Sequence, residues 1–253
     1  MPKLTITASN RDRFDPNSNA TKWFIKSLQW QTYKDFEILL ADGMSKNYEE
    51  IKAFLENYGG DIPMRIVQFP IGEAFERARL NNVGIRNALG EYVMTTDVDM
   101  AFGKDFVQTL MGLVSPDSLV ESRTLYWHPK TAQKIYNGEL DLYNDIQGCR
   151  AGRVKKRTSC GGCQAMHMDG WNKVRGFSEE YIGWGSEDFD LLTRAKLAKL
   201  HIKWMGETGD VALFHQWHPK NIKEDLTYQA KNKKILAGIK QYSVNPNGWG
   251  GKE

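Results

Sequence analysis

EYVMTTDVDM, residues Glu91 to Met100, is a short apolar run that ends in two aspartates, Asp97 and Asp99. Its β-branched and aromatic residues read as a strand. Side chains two apart in a strand share a face. A strand running through Asp99 would therefore set two carboxylates side by side, a repulsive pair unless something positive lies between them. A metal ion, an arginine or lysine, or water would answer that repulsion.

The pattern extends in both directions. Upstream, LTITAS (Leu4–Ser9), FEILLAD (Phe36–Asp42) and MRIVQFP (Met64–Pro70) read as three more strands. Between them lie helical patterns: Ala20–Thr32 with Trp23, Phe24 and Leu28 on one face, a second from Tyr48 with a stop at Gly59, and a third from Glu73 to Gly90. This β-α-β-α-β-α-β order predicts a parallel, doubly wound α/β sheet. Ligands of such sheets bind at the carboxyl ends of the strands, where Ser9 to Arg13, Asp42 and Asp97 to Asp99 fall.

Downstream the pattern weakens. Residues 115–158 are polar and read as irregular or partly helical. From Ser159 come a strand-like entry, a short helix from about Asp169, a Gly-Trp-Gly loop, and a helix from about Glu187 to Leu200. DVALFHQWHP (Asp210–Pro219) reads as a strand ending in two histidines. The glycine-rich tail NPNGWGGKE (Asn245–Glu253) is expected to be mobile. No internal repeat is visible. The chain divides at residue 114 into two halves, 1–114 and 115–253, within one domain.

With 253 residues, 41% hydrophobic and 26% charged, the chain is an ordinary globular protein rather than a disordered one. A net charge of +3 is too balanced to argue nucleic-acid binding by itself. Three cysteines do not make a disulfide framework. With no apolar leader and no run of about 18 apolar residues, the expectation is a cytoplasmic protein without a membrane span.

Five motifs carry chemistry. Asp97-Val98-Asp99 supplies hard oxygen ligands for Mg²⁺ or Mn²⁺. LFHQWH places His215 and His218 at a strand end, and imidazole suits Mn²⁺ better than Mg²⁺. GWGSEDFDLL starts a helix with Glu187 and Asp188, which serve either as simple helix-start acids or as a general base for a hydroxyl. SNRDRF puts Arg11 and Arg13 at a strand mouth, where arginine can clamp a base or diphosphate. FERARLNNVGIRNALG carries Arg77 and Arg79, either facing phosphates or solvated.

The chain resembles family 2 glycosyltransferases of the GT-A fold. SLQWQTYKDFEILLADG (Ser27–Gly43) and NNVGIRNALGEYVMTTDVDM (Asn81–Met100) are similar to that family's segments, although Ala41 stands where the family carries a second acid. GGCQAM (Gly161–Met166), GWNKVRGFSEEYIGWGSEDFDLLTR (Gly170–Arg194) and FERARLNNVG (Phe75–Gly84) resemble β-1,4-galactosyltransferases and polypeptide N-acetylgalactosaminyltransferases.

The resemblance implies a metal-dependent transferase of hexose or N-acetylhexosamine from a UDP-sugar donor. Asp99 would bind Mn²⁺ (or Mg²⁺), with His215 or His218 completing the site and Asp97 near the ribose or a metal-bound water. Arg11, Arg13 and Asp42 would hold the base, and Arg77 the diphosphate. Gly161 and Gly162 would lie near the donor sugar, and Trp184 between donor and acceptor. Glu187 would bind a sugar hydroxyl, and Asp188 would be the base of an inverting displacement.

The expected acceptor is a saccharide. The alternatives are a hydroxymethylated DNA base, suggested by the five cations of RAGRVKKR (Arg150–Arg157), and a non-catalytic nucleotide-sugar-binding module. Cys149, Cys160, Cys163 and His167 offer a competing zinc site, since Cys160 and Cys163 have ligand spacing.

Overall fold

The computed structural model describes residues 1–183, 185–206, 211–218 and 222–251, the side chains of 155–159 and 222–227 excepted. Its first half follows the expected alternation: β1 (Leu4–Asn10), α1 (Asn19–Gln29), β2 (Phe36–Asp42), α2 (Tyr48–Asn57), β3 (Met64–Gln68), α3 (Arg77–Arg86) and β4 (Tyr92–Asp97). β1 pairs in parallel with β2 and β4, and β2 with β3. β1 and β2 are buried along their whole length, which is why they read as apolar runs without alternation. The Ser18 side chain caps α1 by accepting from Thr21 N at 3.1 Å. The helix then turns Phe24, Ile25 and Leu28 to the core. α3 lies so close to β1 that a Cβ at Gly84 would come within 1.9 Å of Thr7 Oγ1.

β4 stops at Asp97. Val98 and Asp99 form a turn, and β5 (Met100–Phe102) begins a second sheet. The two aspartates therefore do not sit side by side on one continuous strand.

The second half contains α4 (Phe106–Leu113), β6 (Ser118–Glu121), β7 (Thr124–Trp127), α5 (Pro129–Tyr136), α6 (Ile146–Ala151), β8 (Arg153–Ser159) and β9 (Gln164–His167). After these come α7 (Met168–Val174), α8 (Glu187–Leu197), β10 (His201–Trp204), β11 (Leu213–His215) and α9 (Ile222–Ala237). The main sheet runs β10-β6-β9-β4-β1-β2-β3, and the smaller one β5-β11-β7-β8. Within the main sheet β9 is antiparallel to both neighbours, β4 and β6. Strands from both halves of the sequence share that sheet, so the halves are one folded unit. Its two faces carry separate cores, one around Phe24, Leu40 and Phe106, the other around Trp171, Phe177 and Leu191.

Two expectations are corrected. The stretch 115–158 is partly helical, at α5 and α6, in keeping with one of the two readings, but it also holds the strands β6, β7 and most of β8. β6 and β7 are only four residues long, too short to show a period. β8, charged in sequence, pairs with β7 at an edge of the smaller sheet, where charge discourages further strand pairing. The tail is also anchored. Trp249 is buried in the second core, Arg86 lies over its ring at 5.1 Å, and Gly250 N donates to Glu179 Oε1 at 2.8 Å. One large apolar side chain outweighs the glycines around it.

Candidate active site

The turn after β4 separates two charged clusters. The first is built on Arg77, the opening residue of α3. Its Nε donates to Asp97 Oδ1 at 2.7 Å, and its Nη1 to Glu187 Oε1 at 3.0 Å and Asp188 Oδ1 at 2.9 Å. Its Nη2 donates to the Gly161 carbonyl at 2.8 Å. Glu187 and Asp188 stand in the first turn of α8, where the helix dipole favours acids.

One guanidinium facing three carboxylates leaves an excess of negative charge in a buried place. Burial pushes the Glu187 carboxyl up to about 7, with Asp188 adding to the rise and Arg77 opposing it. Burial raises Asp188 as well, against the pull of Arg77. For Arg77, burial works against the charge, but Asp188, Asp97 and Glu187 outweigh it and keep the guanidinium protonated. Asp188 is the more open acid, its side chain 19% exposed against 5% for Glu187. Gly161, with φ +98°, is required here. A Cβ on it would fall 2.0 Å from Asp188 Oδ2.

The second cluster holds Asp99, His215 and His218, whose ligand atoms lie within 4.8 Å of one another. β11 pairs antiparallel with β5, with His215 opposite Met100, and this brings the late histidines to the early aspartate. His215 Nδ1 lies 2.7 Å from the Gln216 carbonyl. A carbonyl can only accept, so Nδ1 carries the proton and Nε2 keeps its lone pair for a ligand. Tyr126 stacks on the His215 ring. His218 Nε2 lies 3.2 Å from Asp99 Oδ2 and 2.9 Å from Arg13 Nη1. Protonated, that nitrogen satisfies Asp99 and opposes Arg13; deprotonated, it does the reverse.

Burial alone would raise the Asp99 carboxyl, but His215, His218 and Arg13 together hold it well below the usual carboxylate range. Asp99 Oδ1 is nevertheless buried without a hydrogen bond. A mixed carboxylate and imidazole set, with an orphaned carboxylate oxygen at its centre, fits a divalent transition-metal ion.

The remaining expected residues lie around these clusters. Arg13 is half exposed and 3.5 Å from Asp99 Oδ2. Arg11 Nη1 donates to the carbonyls of Gly72, Glu73 and Ala74, tying down the segment before α3. Asp42 is buried, and its carboxylate accepts from Asn10 Nδ2 at 2.8 Å and Ser45 N at 2.9 Å. Gly162 is buried, its carbonyl accepting from Thr96 Oγ1 at 2.7 Å. Trp184 lies outside the described residues, as do the side chains of Lys155, Lys156 and Arg157 in the basic run.

The zinc set does not assemble. Cys149 is packed in a core with Trp127 and Phe214, Cys163 in another with Met94 and Leu213. Burial pushes the Cys149 and Cys160 thiols up to about 12, unlike metal-binding thiolates. His167 caps α7, its Nδ1 accepting from Asp169 N at 3.1 Å.

Sequence reasoning missed Gln216. Its amide donates to the carbonyls of Ala20 and Met100 and its Oε1 accepts from Tyr136, so it braces the end of the strand that carries His215 against α1. The one signal for it was an amide placed between two histidines.

A model described as glycosyl transferase family 2 matches residues 18–168, and one described as the N-terminal domain of galactosyltransferase matches residues 151–219. β-1,4-Galactosyltransferase 4 of Homo sapiens is 29% identical over 158 residues, covering 61% of this chain and 39% of that protein. The chain thus spans about two fifths of the length of such relatives. Among solved structures, S. aureus TarS in complex with UDP-GlcNAc aligns with a TM-score of 0.62 and 14% identity, over 93% of this chain and 65% of that one. The catalytic domain of Drosophila β1,4-galactosyltransferase 7 in complex with xylobiose aligns with a TM-score of 0.59 and 17% identity, over 96% and 83%. At these identities the structural likeness is one of fold, the GT-A architecture that the sequence resemblance implies. The family 2 match spans more than half of the chain, both expected motif segments fall largely within it, and the chain belongs to glycosyl transferase family 2.

Proposed function

We propose that this chain transfers a hexosyl or N-acetylhexosaminyl group from a UDP-sugar to a hydroxyl of a saccharide acceptor, in the cytoplasm and with inversion. The observation that carries the reading is the pairing of two clusters on one turn: a carboxylate–imidazole set at Asp99 and a partly open, arginine-held acid at Asp188.

Asp99, His215 and His218 would hold the ion, and the mixed donor set favours Mn²⁺ over Mg²⁺. Bound there, such an ion supplies charge neutralisation for a leaving diphosphate. Arg13, half exposed beside that set, adds positive charge on the donor side. Arg11 shapes the nucleotide pocket through the 72–74 segment, and Asp42 through Asn10 and Ser45. Arg77 fixes the direction of the Asp188 carboxylate rather than spending its donors on phosphate, and Glu187 orients a sugar hydroxyl. Asp188 takes the proton from the acceptor hydroxyl as its oxygen attacks the anomeric carbon and the bond to UDP breaks. A base at the face opposite the leaving group gives inversion.

A screen of nucleotide sugars by thermal shift, with and without Mn²⁺, tests the reading. A UDP-sugar should raise the melting temperature only with the ion. Asp188→Asn should keep that shift while losing transfer and donor hydrolysis by about 10²–10⁴-fold. No shift with any nucleotide sugar would overturn the reading, and retained turnover in the Asn variant would remove Asp188 as the base.

A further inference from the structure

Glu121 is a carboxyl that the expected machinery does not use. It ends β6 and is fully buried. Among the described residues no cation pairs with it. Across the antiparallel ladder it stands directly opposite Gln164, the first residue of β9. Gln164 is fully buried too, and its Nε2 donates to Glu121 Oε1 at 2.8 Å. The same nitrogen lies 3.4 Å from the main-chain carbonyl of Asp188, in the first turn of α8. A line of contacts thus runs from Glu121 through Gln164 to the backbone of the acid proposed as the base.

Two buried atoms on this line lack partners, Glu121 Oε2 and Gln164 Oε1. Both are acceptors when Glu121 is ionised. Protonation gives Glu121 a donor and leaves Gln164 an acceptor on the same buried face. An apolar residue would fill this position without a desolvation cost, so the acid breaks a local rule. Such breaks concentrate at functional sites.

We propose that Glu121 is a positioning residue for Asp188: in its protonated form it orients the Gln164 amide, which anchors the first turn of α8 and so aims the Asp188 carboxylate. The inference rests on the proposed transfer reaction.

The titratable groups facing Glu121 are Asp188 on α8 and the thiols of Cys160 and Cys163 before β9. None of these supplies positive charge. Burial first, and Asp188 in addition, push the Glu121 carboxyl up to about 8, against the Gln164 hydrogen bond. Ionisation removes the one proton that could satisfy Glu121 Oε2 and Gln164 Oε1, so the amide is held only through its Nε2 contact.

The test is steady-state transfer from the UDP-sugar selected by thermal shift, across pH 6 to 9.5. It compares the full chain with Glu121→Gln, Glu121→Ala and Gln164→Ala. The parent should lose kcat above about pH 8. Glu121→Gln keeps the amide contact without a proton to lose, so it should hold kcat near the parent's at neutral pH and show no alkaline fall. Glu121→Ala and Gln164→Ala should lose kcat by roughly tenfold or more with donor KM nearly unchanged, since a misaimed base affects the chemical step.

Melting temperatures give a second readout that needs no turnover. The advantage of Glu121→Gln over the parent should grow between pH 5 and 8 by at least about 3 °C. If the parent turns over no UDP-sugar, the proposed function falls and this inference with it. If the parent is active but Glu121→Gln keeps the alkaline fall, or both alanine variants keep kcat within about twofold while folded, this inference alone is overturned.

Discussion

Asp97 and Asp99 are separated by one residue and face different worlds. Asp97 joins Glu187 and Asp188 around Arg77, in a cluster whose cation is covalently part of the protein. Asp99 joins His215 and His218, and imidazole nitrogens are ligand types for a divalent ion. Each cluster keeps one buried carboxylate oxygen without a hydrogen bond, Glu187 Oε2 in the first and Asp99 Oδ1 in the second, but only the first has a buried guanidinium at its centre. The difference teaches that a D-x-D segment is not one ligand pair: the strand end hands its first acid to the fold and, under the proposed function, its second to a ligand.

The largest effect should come from taking the fixed cation away. Arg77→Met leaves three carboxylates facing one another, and removing one side of a buried ionic group costs roughly 3–5 kcal/mol. The melting temperature should fall by about 10 °C or more. A fall of only a degree or two would mean that the first cluster is not built around its arginine. Asp99→Asn should do the opposite. It should move the metal-free melting temperature far less, while raising the Mn²⁺ concentration for half-maximal donor stabilisation by at least about tenfold. An unchanged Mn²⁺ requirement would erase the distinction between the two acids.

The smallest effect is a pH dependence specific to the Arg77 cluster. Glu187 has its carboxyl raised from 4.5 to about 7 by burial first and Asp188 second. A raised carboxyl holds its proton more tightly in the folded state. Its contribution to stability is therefore complete below about pH 4.5 and is lost as pH rises to about 7. Across that window the melting temperature of Glu187→Gln should gain on the parent by a few degrees. A constant difference would show that Glu187 is ionised throughout.

Much of this was legible in the sequence, for identifiable reasons. β1, β2 and β4 are buried runs framed by Asp, Gly and helical periods, so the parallel sheet could be read directly. His215 and His218 stood out because the chain has only five histidines and two of them crowd one strand end, and Asp99 because it closes an apolar run. β6 and β7 were hidden by their brevity. Trp249 was hidden because glycines around a buried side chain look the same as glycines in solvent. The role of Arg77 was hidden for a different reason. Its three partners come from β4 and the start of α8, and no local pattern reports that a cation and three distant acids will meet.

The β5–β11 pairing has a consequence for the order in which the molecule assembles. Gln216 reaches the Met100 carbonyl across 116 positions of chain, and Asp99 meets His215 over the same span. Closing so long a loop is entropically costly and belongs to slow, non-local steps of folding. A half-folded chain can therefore present Asp99 or the histidines, but not the three together. Under the proposed function, metal affinity then doubles as a quality check: the ion binds strongly only to chains in which β5 and β11 have met, and it draws the population toward them.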